Sequence, residues 1–200
     1  MTLDQAVVFN LSLLAALMSP GPAMLYTIRT TLTCGRAAGI ATGLGLGTMA
    51  ATWTLLASLG LDGLFRLFPW AYTTFKILGA AYLLYIAWNT WRGAKQPIGP
   101  AAPAHADAFL GGILVNLANP KSVLFAAAVL VVIFPAGISA LEMVAIVGNQ
   151  LAVEWIVYTT FAFVLSTESV SRRYLKTKPI TDRVAAVILG GLGLRLVLER

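Results

Sequence analysis

Residues 5–28 read QAVVFNLSLLAALMSPGPAMLYTI, an uncharged run broken near its middle by Ser19-Pro20-Gly21-Pro22. A hydrocarbon layer about 30 Å thick takes roughly 20 mostly apolar residues to cross as a helix. The run is long enough, but its prolines lack an N–H and press on the carbonyl four residues earlier. Pro20 and Pro22 thereby free the carbonyls of Ala16 and Met18. Such a break survives at membrane depth only against protein or a wet cavity. A broken spanning helix is the starting expectation.

Five further segments carry the same signal. Ala37–Leu61 has no charge, and Leu67–Trp91 and Ala108–Phe134 are interrupted only by Lys76 and Lys121. Met143–Leu165 contains Glu154 alone, and the short Val184–Leu198 contains Arg195. Hydrophobic residues make up 58% of the 200 and charged residues 11%, far from the roughly 25% charge of soluble domains. The reading is an all-α polytopic membrane protein with six transmembrane helices, the lipid bilayer its surroundings. The flank of the first segment carries Asp4 and no Lys or Arg, so the segment is expected to stay in the mature protein rather than act as a signal peptide.

Composition excludes other classes. A single cysteine, Cys34, closes no disulfide, and a single histidine, His105, serves no site needing two imidazoles. No cofactor is expected, and no metal. The net charge of +6 comes from cations lying between apolar segments, which reads as topology rather than nucleic-acid binding. Arg29, Arg36, Arg92, Lys95, Arg172, Arg173, Lys176, Lys178 and Arg183 fall on one side; Arg66 and Arg200 fall on the other. Positive charge accumulates in the cytoplasm, so both termini are expected outside it.

Residues 92–107 form a linker rich in proline, glycine and alanine, dividing a first three-helix repeat (1–91) from a second (108–200). Three is odd, so related halves would insert in opposite directions as an inverted repeat within one transport unit. The first helix breaks at Ser19–Pro22, and the fourth breaks at Asn119-Pro120-Lys121 at a corresponding depth. Pro120 frees the carbonyl of Asn116.

Two facing breaks would suit a zwitterion. Half-helix amino ends attract a carboxylate and freed carbonyls an ammonium group. Ser19 and Asn119 stand where capping residues belong. Ser19, Pro20, Gly21, Asn116, Asn119 and Lys121 are thus the expected substrate-binding residues. Glu154, near the middle of the fifth helix, is too short to reach the surface, and a charge there is expensive. It is expected to exchange protons, or else to pair structurally with Lys76 or Lys121. Lys76, Tyr82, Trp155 and Tyr158 are supporting candidates, Lys76 balanced against snorkelling to the interface. Gly39, Gly43, Gly45 and Gly47 suggest close packing within the chain. Asn149 and Gln150 read equally as network or interface residues. Trp70, Tyr72, Trp88 and Trp91 suit the membrane interface.

At this point the chain resembles the LysE/RhtB family of amino-acid exporters, the lysine and homoserine/threonine efflux group. The resemblance rests on Ser19-Pro20-Gly21-Pro22, Gly35-Arg36-Ala37-Ala38-Gly39 and Lys76-Ile77-Leu78-Gly79-Ala80-Ala81-Tyr82-Leu83. It continues through Phe109-Leu110-Gly111, Asn116-Leu117-Ala118-Asn119-Pro120-Lys121 with Phe125, and Glu154-Trp155. It departs where many relatives carry proline-glutamine-phenylalanine and this chain has Phe134-Pro135-Ala136-Gly137, and where aspartate is usual in place of Glu154. The resemblance implies efflux of amino acids or derivatives across a bacterial inner membrane, driven by protons. The expectation is therefore a secondary exporter and not an enzyme. A channel or carrier for another small solute or ion is the alternative, ahead of an intramembrane enzyme or a non-transporting assembly subunit, and a homo-oligomer stays open.

Overall fold

The structure, a computed structural model, describes residues 2–19, 21–67, 69–96, 107–134 and 138–198. Helices make up most of these residues, and no strand occurs among them. In order run α1 (Leu3–Met18), α2 (Pro22–Cys34), α3 (Arg36–Leu67), α4 (Pro69–Gly93), α5 (Ala108–Leu117), α6 (Pro120–Ile133), α7 (Ala140–Val164), α8 (Glu168–Lys176) and α9 (Lys178–Leu198).

Local chemistry sets the boundaries. Thr2 with Gln5 opens α1 and Ser139 with Glu142 opens α7, each through a reciprocal capping box. Asp107 accepts from the Leu110 amide at 3.0 Å and starts α5. Gly35 joins α2 to α3 at φ 89°, a left-handed turn that suits glycine. Pro22 and Pro120 occupy the first positions of α2 and α6, where a missing N–H costs nothing.

Both expected breaks are present. α1 and α2 form a pair bent by 58°. α5 and α6 are separated by Ala118 and Asn119 alone. By length and apolarity among the described residues, α3 over Arg36–Gly60 and α7 are each able to cross a membrane, and α1 with α2 qualifies as a jointed pair. The last helix begins at Lys178, earlier than the Val184 expected from hydropathy. Its opening turns carry Lys178, Asp182 and Arg183, charges that hide a helix from a hydropathy reading. The basic stretch before it folds as a separate short helix, α8, with Glu168 bonded to Arg172 at 2.6 Å across one turn.

α3 packs most extensively on α7 and α5, and α4 on α9. The main core joins Phe9, Leu83, Val129, Ile146 and Leu189, drawn from five helices. Its surroundings invert the soluble pattern. Thr54, Asn116, Gln150, Glu154 and Asp182 are buried, whereas Ile77, Leu78, Trp88, Ile156, Val187 and Leu194 are exposed. An apolar exterior, with polar groups enclosed among the core, is what a lipid solvent selects.

The glycines of α3 explain the close packing, which is internal as expected. A methyl at Gly47 would sit 3.1 Å from Glu154 Cβ and 2.8 Å from the Trp155 ring, and one at Gly43 would sit 2.5 Å from Tyr158 Cβ. Gly45 faces the Phe109 carbonyl, and Gly112 of α5 faces the Thr42 carbonyl. Gly39 lies against Thr31 of α2. Trp70, Trp88 and Trp91 are exposed, with Arg92 over the Trp88 ring and Arg183 over the Trp91 ring.

Candidate functional site

The two breaks open onto one cavity of about 80 Å³. A single water needs roughly 10–15 Å³ by such a measure, so several waters or one small solute fit. From the first break come Ser19, Gly21 and Pro22; from the second, Asn116, Asn119 and Ser122. α7 contributes Gln150, Glu154 and Tyr158, one turn apart along one face. Leu13, Leu17, Met24, Ala50 and Phe125 supply the apolar wall.

Glu154 is 4% exposed and accepts a hydrogen bond from Gln150 Nε2 at 3.0 Å. Gln150 Oε1 in turn accepts from the Thr54 hydroxyl at 2.6 Å, so α3 orients the amide that orients the carboxyl. Gly47 allows this approach, since any side chain there would occupy the space of Glu154 and Trp155. Asn116 donates through Nδ2 to the Leu46 carbonyl at 3.1 Å, while its Oδ1 is buried without a hydrogen-bond partner among the described residues.

The first break is held from outside the cavity. Ser19 does not cap α2: that position falls to Gly21, and no side chain caps the helix. Instead the Ser19 hydroxyl donates to Asp182 Oδ1 at 2.7 Å. Asp182 Oδ2 lies 2.7 Å from Lys178 Nζ, which also donates to the Gly93 carbonyl at 2.6 Å. The Tyr174 hydroxyl donates to the Met18 carbonyl at 3.1 Å. Burial, then the charge of Asp182, pushes the Tyr174 phenol up to about 12.

The expectation of freed carbonyls needs correction. Two of the three main-chain oxygens are taken: that of Met18 by Tyr174, and that of Asn116 by the Asn119 amide at 3.0 Å. Buried main-chain acceptors find donors wherever the chain can supply them. What the α1–α2 break leaves open is its amino end: Ala23 and Met24 belong to an uncapped first turn, and both line the cavity.

Of the sequence candidates, Ser19, Gly21, Asn116, Asn119, Glu154 and Tyr158 converge on the cavity. Trp155 turns away, its indole donating to the Leu44 carbonyl at 3.1 Å, because it faces the glycine-lined surface of α3. Tyr82 packs beside the main core and stacks on Tyr85 at 6.2 Å, apart from the cavity lining. Pro20 lies outside the described residues, as do the side chains of Lys76 and Lys121, and with them any pairing to Glu154. Gln150, open in the sequence, joins the network, while Asn149 bonds Asn10 at 3.1 Å. Asp182, Ser122 and Thr54 were missed. Asp182 did carry a signal: it stands four residues after Lys178 in an otherwise basic stretch.

An apolar-faced helical bundle with a polar chamber at two helix breaks is the architecture of a membrane protein with an interior polar site. The family model described as "LysE type translocator" matches residues 14–200, and the chain belongs to that family. It is 32% identical to the uncharacterized membrane protein YahN of Escherichia coli K12, over 90% of this chain and 83% of that protein. It is 25% identical to the threonine efflux protein of the same strain, over 94% of each. It is 28% identical to the uncharacterized membrane protein YrhP of Bacillus subtilis, over 88% of this chain and 90% of that protein. No solved structure matches the chain.

Proposed function

We propose that the protein is a secondary exporter of amino acids or closely related small zwitterions, coupled to proton influx across a bacterial inner membrane. One observation carries the reading: residues from both helix breaks and the carboxyl of Glu154 line a single cavity. The family membership and the likeness to a threonine efflux protein support the substrate class.

In this reading the uncapped first turn of α2, with Lys121 beyond the second break, holds the solute's carboxylate. Ser19 and Asn119 orient the solute. The Ser19 proton is committed to Asp182, so Ser19 offers lone pairs to an ammonium group. Glu154 is the proton carrier. Its protonation removes one negative charge beside the bound solute, so proton and ammonium compete for one carboxyl, the condition for exchange.

Six spans arranged as two inverted halves, 1–91 and 108–200 joined by 92–107, are part of the proposal. Packing of α3 on α7 and of α4 on α9, each helix on its counterpart, supports it. Alternating access follows from one half rocking against the other, with both termini outside the cytoplasm.

The test is efflux from proteoliposomes loaded with labelled amino acids under an imposed proton gradient. The expected result is saturable, gradient-driven loss, abolished in Glu154→Gln at equal protein content. Unsaturable flux indifferent to the gradient would identify a channel. Full-rate, still pH-dependent export by Glu154→Gln would remove the proton role.

A further inference from the structure

We propose that Asn116 is the amine-reading residue of the cavity: its Oδ1 receives the cargo's protonated amino group and restricts cargo to solutes with a free primary ammonium. This rests on the exporter reading and adds a discriminating residue to it.

The orientation of the amide is set by its surroundings. Asn116 Nδ2 points at the Leu46 carbonyl, 3.1 Å away, and Leu46 is fully buried on α3. A flipped amide would put two acceptor oxygens against each other, so the nitrogen stays there and the oxygen takes the other side. Gly112, one turn earlier on α5, presses without a side chain on Thr42 and Leu46 of the same α3 face, which brings the amide within reach. The side chain is built in, not draped over the surface: Asn116 is 3% exposed.

Among the described residues its oxygen has no donor. Buried acceptors in folded proteins nearly always have one, so an orphan on a cavity-lining residue is where the N–H of an arriving occupant would be held. Among the described residues three other buried polar atoms lack partners, on Thr30, Thr42 and Trp53, and none of these residues lines the cavity. Around the same space lie further acceptors, among them the Ser19 oxygen, whose hydrogen goes to Asp182, and the Glu154 carboxyl. A primary ammonium brings three N–H groups and a positive charge to such a set, whereas a hydroxyl or an acylated amine brings one hydrogen and no charge.

The wild-type protein supplies the first test, independent of any variant's folding. Proteoliposomes loaded with the twenty common amino acids identify the solute that leaves. Its N-acetyl and 2-hydroxy counterparts are then offered as competitors. They are expected to compete about 10- to 100-fold more weakly, the value of a charge-assisted hydrogen bond. In Asn116→Leu the half-saturation concentration rises by a similar factor, and the preference for amine over hydroxyl falls toward one. A structural role alone would lower the amount of folded protein and leave that preference intact. Equal competition by the 2-hydroxy analogue, or an unchanged preference in Asn116→Leu, overturns the assignment. If no amino acid is exported, thermal shift of the purified protein by propylamine against propanol separates the two ideas. Stabilisation by the amine alone that is lost in Asn116→Leu keeps the Asn116 assignment while the exporter reading falls; stabilisation that persists in Asn116→Leu, or no difference between amine and alcohol, overturns the assignment.

Discussion

The Ser19 hydroxyl donates to Asp182 Oδ1 at 2.7 Å, tying the joint between α1 and α2 to the opening turns of α9. The other oxygen of the same carboxylate holds Lys178, and Lys178 holds the end of α4 through the Gly93 carbonyl. One carboxylate thus fastens three spatially separate chain segments, and its side chain is 5% exposed against 13% for Lys178.

Removing one member of so enclosed a pair strands the other. Asp182→Ala is expected to lose about 3–5 kcal/mol of stability. Adding Lys178→Met should recover part of that loss, since no unpaired cation then remains. Thermal unfolding of the single and double variants in detergent measures both. A loss in Asp182→Ala within about 0.5 kcal/mol of wild type, the size of an ordinary surface change, contradicts the fastening role.

Tyr174 gives a pH test. Its phenol is raised from 10.0 to about 12, and raised values favour the protonated form in the folded state. The associated stability is present in full below pH 10 and is lost as pH climbs through about 12. Tyr174→Phe removes that alkaline dependence together with the bond to Met18, worth about 0.5–1.5 kcal/mol. Ultraviolet titration of tyrosinate, wild type against variant, reads the shift directly.

Glycines divide by what surrounds them. Gly45→Ala and Gly112→Ala drive a methyl into the carbonyls of Phe109 and Thr42, so each should cost about 1–3 kcal/mol or prevent folding. Gly60→Ala and Gly148→Ala meet nothing within 4 Å and lie inside α3 and α7. These two should be neutral or gain up to about 1 kcal/mol from better helix propensity. Expression and melting temperature across the four variants distinguish the classes.

Gln150 bridges Thr54 and Glu154, at 2.6 and 3.0 Å. Thr54→Val leaves the Gln150 oxygen without its donor, and Gln150→Leu strips a partner from both neighbours. Stability should fall by about 1–3 kcal/mol in each. Thr54 does not line the cavity, so an effect of Thr54→Val on transport, read as a change in efflux rate at equal protein content, would act through Gln150 and the carboxyl it holds.

Much of this architecture is legible in the chain because its signals are local. Prolines at 20, 22 and 120 announce the joints, and an acidic residue in an apolar run announces Glu154. The direction of each side chain is not local. Trp155 follows Glu154 in sequence, yet the two turn different ways, because adjacent helical residues point about 100° apart and the glycines of α3 accept the indole. The Tyr174 contact to Met18 spans 156 residues, so no periodicity could expose that the Met18 carbonyl is already occupied. Asp182 was hidden because surrounding charge made its stretch resemble a loop, when its partners lie on α9 itself and at the first break.

Gly43 and Gly47 carry a mechanical consequence. With Tyr158 and Glu154 nested where their side chains would be, α7 cannot roll about its own axis or slip by a residue without striking the backbone of α3. In an exporter of the kind proposed, this seam between the two halves is the pivot about which they rock, and the widest movements fall to the jointed helices beside it. The hinges would then be the very places that touch the cargo, so the arrival of a solute and the release of the gate become one event.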